Sequence, residues 1–287
     1  MHKSSMTSRL IRALAARTFW PPPPRNPDFY LIGATRSGTT FLYHVLKSHP
    51  QVFMPRRKEI HYFNDDRLFR EDLAGYRDFF AGYRGEALIG ENTPLYFEKG
   101  MVYDGRGKLR YGVADDAVAR LARLNPAARL IVTLRDPLAR IRSMHAKNWH
   151  QGKITTTIAE EIDREAEGRS KLNLVARNCY DVQLENVYCH FDRERVLVLV
   201  FEEWTKDNGV ATRALASFLG CPPFPDPLVL PARARNEGGR YAVRGSGKET
   251  SPSDIAPDLR AKLLARTAPG RRFVAELLGR DLPWAQS

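Results

Sequence analysis

The stretch Phe29-Tyr-Leu-Ile-Gly33-Ala-Thr-Arg36-Ser37-Gly38-Thr39-Thr40 brackets a short turn with two glycines and follows it with hydroxyl side chains. An apolar run entering such a turn, with a helix opening behind it, aims backbone N–H groups and the positive end of a helix dipole at one point. A phosphate can sit there. Arg36 adds a cation, and Ser37, Thr39 and Thr40 add donors. An ordinary strand-turn-helix corner has the same outline, so the segment alone leaves both readings open. The Gly33-x4-Gly38 spacing looks like the start of a nucleotide-triphosphatase loop, yet Thr39 stands where that loop needs its lysine. A second run, Leu130-Ile-Val-Thr-Leu-Arg135-Asp136-Pro137, ends in an arginine before its carboxylate, and Ser143 follows in the next helix. Kinases and ATPases neutralise polyphosphate with Mg²⁺. Cations and hydroxyls suit an anion handled without metal, so no metal ligand is assigned. Arg135 falls at the carboxyl edge of a parallel strand, where open α/β sheets bind ligands, and its fork of donors matches a phosphate. The plainer reading is an arginine capping its own helix through Asp136.

A third candidate is Arg57-Lys58-Glu59-Ile60-His61-Tyr62-Phe63. Alternation along an extended stretch would put Glu59 and His61 on one face. A positioned carboxylate can take the proton of an attacking hydroxyl, a poor nucleophile at neutral pH. A surface carboxylate paired with Lys58 or Arg57, beside a packed histidine, is the bland alternative.

The elements that must position these groups alternate strand and helix. Strands are predicted at Phe29 to Gly33, Ala87 to Gly90, Arg129 to Leu134 and Val196 to Phe201. Helices are predicted over Thr39 to Ser48, Ala114 to Leu124, Pro137 to about Trp149, Lys171 to Phe191 and Gly209 to Leu219. His49-Pro50 stops the first helix and Gly220 with Pro222-Pro223 the last. This order argues for an α/β domain with a central parallel sheet flanked by helices. Pro231 to Ser253 reads as a long functional or mobile loop.

The chain has 287 residues, 43% of them hydrophobic and 27% charged, with a net charge of +12. That suits one folded domain that attracts anions. The basic residues are scattered rather than gathered with aromatics, so nucleic acid is not assigned as a partner. No apolar run is long enough to span a bilayer. Cys179, Cys189 and Cys221 form neither a disulfide framework nor a zinc pattern, which suits a reducing, cytoplasmic location. Residues 1–27 carry Lys3, Arg9, Arg12, Arg17 and Arg25, no acidic residue, and a stiff spacer from Pro21 to Pro24. A peripheral contact of residues 1–20 with an anionic membrane is one expectation; a packed helix or a tail is the other. The domain proper is expected over 28–287.

The segments GATRSGTTFLYHVLKSHP and RLIVTLRDPLARIRSMH together resemble the two cofactor signatures of the sulfotransferase family, whose donor is 3′-phosphoadenosine-5′-phosphosulfate (PAPS). Glu91-Asn-Thr-Pro-Leu-Tyr96 is similar to the E-K-[ST]-P-x-Y segment of the heparan-sulfate and carbohydrate branch. Tyr180-Asp-Val-Gln-Leu184, Val196 to Glu203 and Leu277 to Trp284 resemble later family segments, in the right order. The resemblance implies that Arg36, Ser37, Gly38, Thr39 and Thr40 hold the 5′-phosphosulfate, and that Arg135 and Ser143 hold the 3′-phosphate. It implies a P-loop-NTPase-like fold, Glu59 as the base, with His61 as its neighbour or the alternative base, and Arg36 at the leaving group. Tyr241 and Arg244 are candidates in a loosely similar covering loop. The acceptor would be a hydroxyl or amine on a carbohydrate-like, glycolipid or other small molecule. Asn92 departs from the family's lysine, which puts in doubt any contact made there. Competing expectations are a nucleotide kinase or hydrolase, and a non-catalytic anion-binding module.

Overall fold

The computed structural model describes residues 25–70, 73–225 and 255–284. Its seven strands are β1 (Phe29–Gly33), β2 (Val52–Phe53), β3 (Leu88–Asn92), β4 (Val102–Tyr103), β5 (Leu109–Arg110), β6 (Arg129–Leu134) and β7 (Val196–Val200). The helices are α1 (Thr39–Ser48), α2 (Asp66–Arg70), α3 (Leu73–Arg77), α4 (Ala117–Leu124), α5 (Pro137–His150), α6 (Ile158–Ala166), α7 (Tyr180–Tyr188), α8 (Phe201–Trp204), α9 (Asn208–Leu219) and α10 (Pro257–Leu278). Five strands form one sheet in the order β2-β3-β1-β6-β7, every neighbouring pair parallel. β4 and β5 make a separate antiparallel pair.

All five residues of β1 are buried. That follows from its place: a central parallel strand is covered on both faces and reads as a continuous apolar run. Successive side chains take opposite sides. Tyr30 and Ile32 join a core with residues of α4, α7 and α10, while Phe29 and Leu31 join one built with α1 and α9. β1 lies between β3, which leads outward to β2, and β6, which leads outward to β7. The order reverses at β1, and in such sheets the crevice beyond the strand ends at the reversal is where ligands bind.

The sheet expected from the sequence is present, with corrections at the edges. α4 begins at Ala117 because the Asp116 carboxylate accepts from the N–H groups of Val118 and Ala119. The helix expected over Lys171 to Phe191 is only α7, preceded by a 3₁₀ turn at Ala176–Asn178. Side chains capture the missing turns' donors: Ser170 Oγ accepts from Leu172 and Asn173, and the Glu165 carboxylate from Val175 and Ala176. Phe201 leaves the strand to open α8. Residues 57–62 are no strand, since Glu59 and His61 have φ of 56° and 64°. Cys179 and Cys189 flank α7, and all three cysteines are free. Residues 1–24 and the expected loop Pro231 to Ser253 lie outside the described residues. Among the described residues no helix is long and apolar enough to cross a membrane.

Candidate active site

β1 delivers the chain into a turn at the carboxyl edge of the sheet, and Gly38 opens α1 in a left-handed conformation (φ 82°). A side chain there would be strained, and a Cβ would stand 2.5 Å from the Trp204 ring. No side chain caps α1 and its first turn holds no acidic residue, so its N–H groups are left for a ligand. The turn is held from below. Ala34 N–H donates to Thr133 O (2.9 Å), and Thr133 Oγ1 donates to Ser37 O (3.1 Å) while accepting from Trp204 Nε1 (3.0 Å). From the side, the fully buried Arg140 donates to Thr35 O (2.7 Å), to Thr35 Oγ1 (3.1 Å) and to Glu98 Oε1 (2.6 Å). Arg177 also reaches Glu98 (3.1 Å). Burial pushes the Glu98 carboxyl upward, but the charges of Arg177 and Arg140 outweigh it and hold the carboxyl below its ordinary value.

Arg36 crosses from this turn to α5, where its Nε donates to Ser143 Oγ at 2.9 Å. Arg135, at the end of β6, donates to Arg36 O (3.3 Å) and lies over the Phe201 ring at 4.8 Å. Burial lowers its pKa from the usual arginine value. Asp136 caps α5 as the plainer reading had it, its carboxylate accepting from Ala139 N–H (2.8 Å). The β6–α5 junction is braced from behind: Tyr180 Oη donates to Arg135 O (2.7 Å), and Glu202 accepts from Asp136 N–H (3.0 Å) and Trp284 Nε1 (2.7 Å). Ser37 Oγ and Arg135 Nε are buried and have no hydrogen-bond partner among the described residues.

Arg36, Gly38, Thr39, Thr40, Arg135 and Ser143 share one cleft of about 960 Å³ with Glu59 and His61. His61 Nε2 stands 3.8 Å from Glu59 Oε2, so the two meet although the backbone is not a strand. The Glu59 side chain is 48% exposed and that of His61 24%, which leaves the carboxylate the more open to a ligand. His61 Nδ1 is 3.1 Å from Asn64 Oδ1, and burial pushes the imidazole pKa down against the pull of Asn64 and Glu59. Lys58 turns away from Glu59 and donates to Thr40 Oγ1 at 2.9 Å.

Residues 26–230 match the family described as the sulfotransferase domain. The chain belongs to the sulfotransferase family. The membrane-associated sulfotransferase kil1 of Dictyostelium discoideum is 34% identical over 122 residues, which is 42% of this chain and 22% of kil1. Mouse heparan sulfate glucosamine 3-O-sulfotransferase 3B1 is 24% identical over 270 residues, 90% of this chain and 65% of the relative. The matched region thus spans less than two thirds of either curated relative. A sulfotransferase from Alicyclobacillus acidocaldarius superposes with a TM-score of 0.67 at 24% identity, covering 90% of this chain and 98% of the other. The sulfotransferase fold is therefore shared along nearly the whole length.

Within this sulfotransferase domain the site residues expected from the sequence line one cleft, except Ser37, which is fully buried, and Tyr241 and Arg244, which lie outside the described residues. Arg36 and Ser143, expected at opposite ends of the ligand, are hydrogen-bonded to each other. Asn92 is buried and does not line the cleft. The sequence reading missed Glu98, Arg140 and Arg177. An arginine one helical turn before Ser143 was the available signal, but the buried acid that makes it structural is remote in sequence.

Proposed function

We propose that this sulfotransferase moves a sulfuryl group from PAPS to a hydroxyl or amine on a carbohydrate-like acceptor, with Glu59 as general base. The observation that carries the reading is the meeting of Arg36, Ser143 and Arg135 at the sheet's reversal point, in one cleft with Glu59. The uncapped N–H groups opening α1, the orphaned Ser37 Oγ and the orphaned Arg135 Nε fit a donor with two anionic ends. The turn from Arg36 to Thr40 would take the 5′-phosphosulfate, and Arg135 with Ser143 the 3′-phosphate. When bound, the donor supplies an electrophilic sulfur and a bisphosphate leaving group.

The chain's own residues supply the rest. Glu59 takes the acceptor's proton as its oxygen or nitrogen bonds to sulfur and the bond from sulfur to the phosphate oxygen breaks. Arg36 and the N–H groups opening α1 face the negative charge that develops on that departing oxygen. His61, neutral at pH 7, sits beside the carboxylate as its positioning neighbour. Lys147, Lys153 and Lys171 line the cleft, which favours an acceptor carrying carboxylate or sulfate groups. Residues 28–287 are the proposed domain, acting in the cytoplasm, with residues 1–20 as the segment to examine for peripheral membrane contact.

Turnover of Glu59→Gln tests the reading. With PAPS and a panel of anionic oligosaccharides, the wild type should add one sulfuryl group by mass spectrometry. Glu59→Gln should fall roughly 100- to 10,000-fold in rate, with bisphosphate affinity near wild type. Normal turnover in Glu59→Gln with a dead His61→Ala would give the base to the histidine.

A further inference from the structure

The loop that carries Glu59 and His61 holds two non-glycine residues in the left-handed region, a conformation that persists only where the surroundings impose it. What imposes it is the end of β3 and the segment that follows. Glu59 N–H donates to Asn92 O at 2.8 Å. His61 N–H faces Thr93 Oγ1 at 3.5 Å, and Phe63 N–H faces Tyr96 Oη at 3.4 Å. Alternate amides of the loop therefore run to one strap, residues 92–96. Between them the Ile60 side chain is fully buried in the core.

Two of the three acceptors are hydroxyls, and a hydroxyl can turn either way. Here a single buried oxygen decides. Glu91 Oε1 accepts from Thr93 Oγ1 (2.8 Å) and from Tyr96 Oη (2.8 Å), while Oε2 accepts from Tyr76 Oη (2.5 Å). With both protons committed to Glu91, the oxygens of Thr93 and Tyr96 can only accept from the loop. A hydroxyl that donates to a carboxylate is also a stronger acceptor, which offsets the length of these two contacts. Glu91 itself is fully buried and does not line the cleft.

We propose that Glu91, acting through Thr93 and Tyr96, is a positioning residue that holds the Glu59–His61 loop in its reactive shape. The inference rests on the reading of Glu59 as base. Thr93→Val keeps the shape of the side chain but removes the hydroxyl, while Thr93→Ser restores it. Thr93→Val should lower kcat about 10- to 100-fold, the scale of a small misplacement of a reacting group. Acceptor KM and bisphosphate affinity should stay within about twofold of wild type. Thr93→Ser should recover most of kcat. Amide hydrogen exchange over residues 59–63 should quicken in Thr93→Val, and in Tyr96→Phe as a second variant should the first fail to fold. Wild-type kcat in Thr93→Val, an equal loss in Thr93→Ser, or unchanged exchange in the loop would overturn the proposal. Full turnover in Glu59→Gln with quickened exchange in Thr93→Val would instead sink the base while leaving the strap standing.

Discussion

Arg36 touches both halves of the cleft, donating to Ser143 while its own carbonyl accepts from Arg135. Its type and place were legible in the sequence, but its reach was not, because a side chain's span across two elements depends on how they are brought together. Glu59 and His61 were legible as a pair for a reason that proved wrong: left-handed backbone, not strand alternation, brings them to 3.8 Å. Two substitutions separate charge from geometry at Arg36. Arg36→Met removes the group facing the developing charge and should lower kcat about 10²- to 10³-fold. Arg36→Lys keeps the charge but loses the planar fork that meets Ser143, and should retain most of the rate. Single-turnover kinetics of the two variants checks this; equal losses would make the guanidinium geometry, rather than its charge, the active property.

Among the elements, those with strong periodicity and clear punctuation were read correctly, above all β1, α1, β6 and α5. α6 and α10 were not read, although the first carries a Thr157/Glu160 capping box and the second is framed by Pro257 and Gly279. Pro269 interrupts the α10 pattern, and Gly270 beside it is required by packing: a Cβ there would stand 2.6 Å from Tyr180 N. The shortening of α7 came from side chains that hydrogen-bond locally, which hydrophobic periodicity does not register. The Glu98–Arg140 pair ties the turn from Gly33 to Gly38 to α5. The folded-state pKa of Glu98 is depressed. Its stabilisation is therefore full above the ordinary glutamate value of about 4.3 and is lost as pH falls through the depressed one. Glu98→Gln leaves Arg140 buried without its counter-charge and should cost about 3–5 kcal/mol at pH 7. The gap to wild type should narrow as pH is lowered from 7 through that depressed value, where the wild-type carboxylate takes up its proton. Urea unfolding midpoints between these pH values would show it; a gap independent of pH would mean that the ionised pair contributes nothing.

For the whole molecule, the parallel sheet, the family and the location of the cleft all followed from the order of motifs along the chain. The acceptor did not, since one fold serves many acceptors and only the lining of the cleft narrows them. The net charge of +12 and the lysines at the cleft give it an affinity for anions, and a competing anion-binding module would share that property. What such a module would lack is a separate place for the 3′-phosphate. Calorimetry in excess chelator, comparing adenosine 3′,5′-bisphosphate with the 5′-monophosphate, therefore separates the two. The bisphosphate should bind more tightly by about 1.5–3 kcal/mol, the range for hydrogen bonds to charged groups. Arg135→Ala should abolish that preference while leaving the monophosphate affinity unchanged. Equal affinity of the wild type for the two nucleotides would rule out a 3′-phosphate site.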